Sequence, residues 1–290
     1  MKSTLKKIVV SHALAFASLA ASIAPVGAAH AGLQDGKLTI ATEGAFRPWN
    51  FVEKGKLVGF EMDLIQDLCG RIQVKCEVVA QSFDSLIQGL NSGKFDAVIA
   101  SMTATPKRQE VIAFTRPYSQ SGQTFAVLAD SPLAKLPGAG KTVSLENNPD
   151  LNAEIDALRP LLKGKVIGVQ TSSINARLLN EYFGKDVELR EYKNTDQHDL
   201  DLSAGRVDAV LASATYLADI AKRPENANVR LVGPRFKNGM LGHGSAIGLR
   251  KSDTELKARF DKALEAAFAD GTIKKLADKW IGIDVTPDFR

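Results

Sequence analysis

The sequence predicts an α/β fold with largely parallel sheets, and three observations support this prediction. Short apolar segments alternate with amphipathic helical patterns from Leu38 onward, as in sheets whose strands are joined by helices. A helix-to-strand segment of nine residues occurs twice, 112 residues apart. The 290 residues are 44% hydrophobic and 24% charged, which is ordinary globular composition with enough length for one or two cores.

The predicted elements follow in chain order. We predict strands at 38–41, 74–79, 95–100, 165–169, 187–192, 207–212 and 246–249. Helices are predicted at 62–72, from the cap Ser82 to near Gly93, and at 174–183, 254–269 and 272–280. The stretch 129–140 contains four Pro or Gly residues and is predicted to be an exposed loop.

The first 31 residues have the pattern of a secretory signal peptide. A basic start is followed by an apolar stretch over 8–23 and then by Ala29-His30-Ala31, which resembles a cleavage signal. The alternative is an uncleaved membrane anchor, but the apolar stretch is shorter than the roughly 20 residues that span a bilayer. We therefore expect export with cleavage near Ala31, and no later segment is apolar enough to span a membrane.

The charge balance argues against a nucleic-acid partner. Lys2, Lys6 and Lys7 lie in the predicted signal peptide, so the remainder has 34 basic residues against 33 acidic ones. Binding to phosphates requires clustered cations, and this sequence contains no basic run.

The two cysteines, Cys69 and Cys76, are seven residues apart at the end of a predicted helix and in the next strand. In an oxidising compartment we expect them to form a disulfide. A metal site is not expected, because two thiols without a nearby histidine do not complete a zinc shell. No cofactor motif is present, and the sequence has no G-x-S-x-G, P-loop or H-E-x-x-H pattern.

The internal repeat predicts two lobes that share a cleft. Its two copies are Gly93-Lys94-Phe95-Asp96-Ala97-Val98-Ile99-Ala100-Ser101 and Gly205-Arg206-Val207-Asp208-Ala209-Val210-Leu211-Ala212-Ser213. Each copy ends a helix at Gly and brings a Ser to the carboxyl end of a strand, where α/β sheets bind ligands. The alternative is that a common packing unit occurs twice independently.

Arg108 is the candidate carboxylate clamp. Thr105 as N-cap and Pro106 at the first helical position place Arg108 in the first turn of a helix, where the dipole disfavours a cation. That placement is reasonable if the guanidinium holds an anion, with Ser101 and Thr103 as further donors. The alternative is a solvated arginine paired with Glu110 or another acid.

Two further groups of residues are candidates for ligand contacts. Gln170-Thr171-Ser172-Ser173 precedes the helix at 174–183 and predicts an anion cradle, although Ser172 or Ser173 is equally explained as an N-cap. Rings at the ends of strands can enclose an alkyl chain or a guanidinium, while an acid pairs with a distal cation. Glu43, Phe46 and Phe83 are the candidates for these roles; Trp49 in the same loop is better explained as a core residue.

Three motifs resemble those of periplasmic solute-binding proteins of polar amino-acid ABC importers, known as family 3. They are Gly59-Phe60-Glu61-Met62-Asp63-Leu64, Thr105-Pro106-Lys107-Arg108-Gln109-Glu110 and Gly271-Thr272-Ile273-Lys274-Lys275-Leu276. Within the family, the sequence is most similar to the octopine and nopaline binders and to the lysine/arginine/ornithine/histidine binders. The resemblance implies two α/β lobes joined by two hinge strands, with 32–121 and 231–290 in lobe 1 and 122–230 in lobe 2. It places the hinge crossings near 120–124 and 229–233.

The resemblance also implies roles for the candidate residues. Arg108 would bind the ligand α-carboxylate with Ser101, Thr103 and Ser173, Phe46 and Phe83 would stack on the side chain, and Glu43 would meet its distal cation. Gln170 belongs to the same site, and Cys69 and Cys76 match the family's disulfide. Ser213 stands where binders of cationic amino acids have an aspartate for the α-ammonium group.

By resemblance, the serine at 213 departs from the binders of cationic amino acids, and the loop at 129–140 is similar to that of the opine binders, which implies an opine over a free amino acid. We therefore predict a monomeric periplasmic receptor that delivers an opine, or a related arginine derivative, to an inner-membrane ABC permease. Binding of free arginine, lysine, ornithine or histidine is the main alternative. An enzyme similar to cyclohexadienyl dehydratase, with Glu43 as proton donor, and a ligand-presenting partner of a chemoreceptor are further alternatives.

Overall fold

The computed structural model describes residues 35–287, so the predicted signal peptide at 1–31 lies outside the described residues. The strands are β1 (Lys37–Thr42), β2 (Ala45–Phe46), β3 (Asn50–Glu53), β4 (Lys56–Val58), β5 (Lys75–Ala80), β6 (Ala97–Val98), β7 (Ala113–Phe114), β8 (Gln123–Leu128), β9 (Thr142–Ser144), β10 (Lys165–Gln170), β11 (Val187–Tyr192), β12 (Ala209–Ser213), β13 (Val229–Lys237) and β14 (Gly248–Leu249).

The α-helices are α1 (Phe60–Arg71), α2 (Leu86–Asn91), α3 (Pro106–Gln109), α4 (Leu151–Leu162), α5 (Ile174–Phe183), α6 (Thr195–Ser203), α7 (Ala214–Ile220), α8 (Thr254–Ala269) and α9 (Thr272–Trp280). The predicted bounds of α5, α8 and α9 are confirmed, because each has an apolar face with a 3.6-residue period and a clear end signal. Among residues 35–287, no helix is long and apolar enough to cross a bilayer.

Two sheets divide the structure into two halves. The first sheet has the strand order β5-β1-β6-β14-β7 and the second has the order β11-β10-β12-β8-β13-β9. The α/β class is confirmed, but both sheets are mixed. Strand β14 is antiparallel to its two neighbours, and β8 is antiparallel to β12 and β13, because these strands belong to the segments that connect the halves. We refer below to the first half (the first sheet and its helices) and the second half (the second sheet and its helices).

The internal repeat is a structural repeat. Strands β6 and β12 occupy the third position of their sheets, each beside a parallel central strand. The aspartate of each copy accepts an equivalent hydrogen bond from the neighbouring strand. Thr39 N donates to Asp96 Oδ2 and Val166 N donates to Asp208 Oδ2, both at 2.8 Å. Each sheet thus brings the last residue of its copy to the edge that faces the other half.

Each half has apolar cores on both faces of its sheet. In the first half, α1, α8 and α9 pack their apolar residues against one face, and α2 packs against the other. In the second half, α4 and α5 cover one face and α7 covers the other. A disulfide joins Cys69 at the end of α1 to Cys76 in β5, with a Cα–Cα distance of 6.1 Å.

Strand β13 lies in the region of the second predicted crossing. It runs from Val229 to Lys237 within the second sheet, and Leu241 packs in the core of the second half. The pairing of β13 to β8 is irregular between Val232 and Phe236, where Gly233 and Pro234 lie. The crossing near 229–233 and the lobe boundary at 231 stay predictions.

Two local predictions also differ from the structure. The stretch 129–140 contains a 3₁₀ helix, Pro132–Lys135, and buries Leu133 and Leu136, so it is anchored to the second core instead of being a wholly exposed loop. Ser82 precedes a 3₁₀ turn before α2, and its hydroxyl lies 2.9 Å from the Ser85 hydroxyl instead of capping a backbone N–H. Leu133 and Leu136 allow the stretch 129–140 to pack against the second core. Its Pro and Gly content alone does not reveal this packing.

Candidate ligand-binding cleft

A cleft of about 770 Å³, part of it open to solvent, lies between the two halves. All the sequence-predicted site residues line this one cleft: Glu43, Phe46, Phe83, Ser101, Thr103, Arg108, Gln170, Ser173 and Ser213. The first six belong to the first half and the other three to the second.

The two halves are in contact around the cleft. Hydrogen bonds join Gln170 Nε2 to Glu43 Oε1 (2.6 Å), Arg108 Nη2 to Ser172 O (3.2 Å), Trp49 Nε1 to Thr215 Oγ1 (3.2 Å) and Thr195 Oγ1 to Ala45 O (3.1 Å). The structure therefore shows a closed arrangement, in which a ligand in the cleft would touch both halves.

Arg108 begins the short helix α3 as the sequence predicts. Thr105 caps this helix by accepting a hydrogen bond from Arg108 N at 3.3 Å, and Pro106 occupies its first turn. The guanidinium donates to two carbonyl oxygens, those of Thr103 (3.1 Å) and Ser172 (3.2 Å). Desolvation, aided by the nearby charge of Arg177, lowers the Arg108 pKa to about 10. Among the ion pairs of residues 35–287, none joins Arg108 to Glu110 or to another acid. An anionic ligand would therefore neutralise the Arg108 charge and favour its protonated form.

Glu43 lies in an acidic part of the cleft. Its side chain is 9% exposed and accepts the hydrogen bond from Gln170. Burial, with smaller effects of the negative charges of Asp196, Glu61 and Asp84, raises the Glu43 pKa to about 8, although the hydrogen bond from Gln170 lowers it. A cationic group placed beside Glu43 would be attracted by this cluster and would favour the ionised carboxylate.

The aromatic residues form the walls. Phe46 stacks on Tyr216 of the second half, with ring centroids 4.8 Å apart and an interplanar angle of 4°. The ring of Phe83 lies 5.4 Å from the Arg108 guanidinium carbon. Trp49 is 1% exposed and packs edge-on against Phe60 in the first core, which agrees with the core interpretation. One face of Phe46 is thus covered by Tyr216, a partner that the sequence analysis did not identify.

The position of Ser101 is set by a buried carboxylate. Ser101 adopts a left-handed backbone conformation with φ 48°, and its N–H donates to Glu61 Oε1 at 2.6 Å. Glu61 is fully buried and also accepts hydrogen bonds from Tyr118 and from Asn50 Nδ2. Burial raises the Glu61 pKa to about 7 despite these donors.

The two serines of the second half have local partners. Ser173 caps α5 by accepting a hydrogen bond from Ala176 N at 3.3 Å, so the N-cap explanation holds while the residue also faces the cleft. Ser213 lies in a hydroxyl cluster, 3.0 Å from Ser121 Oγ and 2.9 Å from Thr215 Oγ1. This position offers hydroxyl groups where a carboxylate would be needed to neutralise an ammonium group.

The sequence analysis missed several cleft residues, most of them on or near the segments that connect the halves: Gln120, Ser121, Gln123, Asn175, Thr195, His198, Lys237, Asn238 and Ser245. Polar residues at the start of the apolar strand β8 and at the end of β13 were the available signal. The sequence analysis predicted neither of these strands. Within the described part of the chain, no cluster of His, Cys, Asp and Glu side chains is suited to hold a metal ion.

Comparison with known proteins places this geometry among solute-binding proteins. The model of the bacterial extracellular solute-binding proteins, family 3, matches residues 38–283. The octopine-binding periplasmic protein of Rhizobium meliloti is 43% identical over 282 residues, covering 90% of this chain and 96% of that protein. The lysine/arginine/ornithine-binding periplasmic protein of Escherichia coli K12 is 34% identical and covers 93% of this chain and 97% of its own length. The structure of an ancestral arginine-binding protein bound to arginine superposes with a TM-score of 0.70 at 32% identity, covering 85% of this chain and 99% of that one.

Proposed function

The chain belongs to the bacterial extracellular solute-binding proteins of family 3, and on that premise we propose that its ligand is an opine of the octopine or nopaline type, or a related arginine derivative. It serves an ABC importer as a binding protein and is not an enzyme. The dehydratase-like alternative is set aside because the chain belongs to a family of non-catalytic solute-binding proteins.

The α-carboxylate of the ligand binds to Arg108. The guanidinium can form two parallel hydrogen bonds with a carboxylate, and its buried charge has no acid partner within residues 35–287. Ser101 and Thr103 of the first half and Ser173 of the second supply further polar groups around the same anion. Because these donors come from both halves, the carboxylate stabilises the closed arrangement.

The guanidinium of the ligand binds near Glu43. This carboxyl group is buried near other acids. The rings of Phe46 and Phe83 line the same cleft. Gln170 orients the Glu43 carboxyl group through their hydrogen bond. A long side chain that ends in a cation fits this distribution of charge.

The single observation that carries the choice of an opine is the hydroxyl cluster at Ser213. Serines and a threonine surround the position that an α-ammonium group would occupy by resemblance, and the partners of the Ser213 hydroxyl within residues 35–287 are hydroxyl groups, not carboxylates. A primary ammonium group left without a carboxylate in a closed cleft would cost on the order of a few kcal/mol. The secondary amine of an opine has fewer protons to satisfy and carries a substituent that occupies the adjoining space.

The cellular setting follows from the relatives. The similar octopine-binding and lysine/arginine/ornithine-binding proteins are periplasmic, and the first 31 residues have the pattern of a signal peptide. We place the mature chain in the periplasm as a monomer that delivers its ligand to an inner-membrane permease.

Free arginine, lysine, ornithine or histidine is the second candidate class. It is supported by the Escherichia coli relative named for lysine, arginine and ornithine and by the similar structure bound to arginine.

A ligand screen separates the two classes. Purified chain lacking residues 1–31 is tested against octopine, nopaline, arginine, lysine, ornithine and histidine by thermal shift and then by calorimetry. We expect an opine to give the largest rise in melting temperature, with a micromolar or lower Kd, equivalent to about −8 kcal/mol or better. A free amino acid that binds more tightly than either opine would overturn the proposal.

A further inference from the structure

The charged side chains of the cleft match a ligand with two acid groups. Among the described residues that line it, Arg108 and Lys237 are the basic residues besides His198, and Glu43 is the acid. An N-(carboxyalkyl)arginine has two carboxylates and one guanidinium, whereas free arginine has one carboxylate. A cleft lined by two basic side chains therefore fits the two carboxylates of the substituted amino acid.

Strand register and the lining of the cleft place Lys237 in the same cleft as Ser213. Ser213 of β12 pairs with Gln123 of β8, and Gln123 pairs in turn with Phe236 of β13. Lys237 follows Phe236 and so lies two strands from Ser213, about 10 Å at the backbone. A lysine side chain and a short ligand arm can cover this distance together.

The residues around Lys237 form a polar wall built from both connecting segments. Gln120 Nε2 donates to Asn238 Oδ1 at 2.9 Å, which links the start of the second half to its end. Asn238 adopts a left-handed conformation with φ 64°, which asparagine tolerates better than most residues. On the other side, Ser121 Oγ lies 3.0 Å from Ser213 Oγ. Polar residues thus extend along the cleft from Ser213 to Lys237.

We propose that Lys237, flanked by Asn238 and Gln120, is a second carboxylate subsite that selects N-(carboxyalkyl) amino acids over free amino acids. The subsite rests on the proposed opine function. It adds to that function the residue that binds the carboxylate carried by the substituent of the secondary amine. Arg108 binds the α-carboxylate, Ser213 and Ser121 face the secondary amine, and the Lys237 ammonium group meets the second acid.

The test compares two ligands on three variants. Lys237→Met removes the charge and retains most of the stem, Lys237→Arg retains a cation, and Lys222→Met is a matched control on an exposed lysine of the second half. Calorimetry measures Kd for octopine and for arginine on each protein. We expect Lys237→Met to weaken octopine at least 10-fold while arginine changes less than twofold, because the lost contact is a charge-assisted hydrogen bond made by the second acid alone. Lys237→Arg should retain octopine binding within a few-fold, and Lys222→Met should change neither Kd.

The other outcomes are distinct. If the unmodified protein binds octopine but Lys237→Met weakens both ligands equally, or neither, the subsite is overturned and the opine function stands. If the unmodified protein does not bind octopine, the opine function fails and the subsite fails with it. Circular dichroism and melting temperature establish that Lys237→Met is folded, and Lys237→Arg provides a second variant in which only the shape of the cation changes.

Discussion

Gln170 Nε2 lies 2.6 Å from Glu43 Oε1, and this hydrogen bond joins residues 127 positions apart across the cleft. It holds a carboxyl group that burial and neighbouring acids leave mostly protonated at neutral pH, since its pKa is raised to about 8. In the closed arrangement, Glu43 is therefore a neutral acid until a cation arrives. The ligand's guanidinium would then stabilise the ionised form and lower the pKa.

The first prediction is that binding a guanidinium ligand releases a proton. At pH 7 a group with a pKa near 8 is about nine-tenths protonated, so close to one proton leaves when the ligand ionises Glu43. Affinity should rise with pH up to about 8 and then level off. Calorimetry of octopine binding in phosphate and in Tris at pH 7 measures the released proton from the difference in apparent enthalpy. Glu43→Gln should abolish that difference, and an absence of buffer dependence in the unmodified protein would contradict the prediction.

The second prediction concerns Arg108. Arg108→Ala should weaken binding of octopine and of arginine alike by at least about 2 kcal/mol, or roughly 30-fold, because both ligands present an α-carboxylate. Arg259→Ala, at an exposed arginine of α8 paired with Glu255, is the matched control and should leave both Kd values unchanged.

The unliganded stability of Arg108→Ala adds a second measurement. Arg108 is desolvated without an acid partner within residues 35–287, so its removal should not lower the melting temperature of the free protein. A large fall in melting temperature together with unchanged affinity would show that Arg108 is structural and not a clamp.

The site residues that the sequence could predict are marked by local signals. Ser101 and Ser213 end the two copies of the repeat, Arg108 follows an N-cap and a proline, and Ser173 begins a helix. Each signal depends on residues within one element, and the parallel strands bring these ends to the same edge.

The remaining features depend on distant pairing. The stack of Phe46 on Tyr216 joins residues from different halves, and Lys237 reaches the cleft only because β13 continues past the irregularity at Gly233. Glu61 occupies the first turn of a helix, where an acid is ordinary. Nothing in the local pattern distinguishes that exposed role from the fully buried one that the structure gives it.

The third prediction concerns Ser213. Ser213→Asp should shift preference toward free cationic amino acids, because a carboxylate would then face the primary ammonium group and repel the second acid of an opine. We expect the ratio of the arginine Kd to the octopine Kd to fall at least 10-fold. Ser203→Asp, at an exposed serine of α6, is the control for an added charge in the same half. If the ratio of the two Kd values is unchanged, the side chain at position 213 does not contact the amine of the ligand.

The fourth prediction concerns the pH dependence of stability and Glu61. Burial raises the Glu61 pKa from its ordinary value of 4.5 to about 7 in the folded protein and so favours the protonated form. Its contribution to the free energy of unfolding is therefore full below about pH 4.5 and is lost as pH rises through 7, by about 3 kcal/mol in total. Glu61→Gln stays neutral, so its stability should lack this decline.

Urea denaturation of both proteins between pH 5 and 8 measures the difference. Glu61→Gln also points an amide N–H₂ at a donor, because the carboxylate accepts from Ser101 N, Tyr118 and Asn50. Its stability at pH 5 should therefore be lower than that of the unmodified protein by about 1–3 kcal/mol. The gap between the two proteins should then narrow as pH rises, since only the carboxylate loses stability. Parallel pH profiles for the two proteins would show that Glu61 does not titrate in this range.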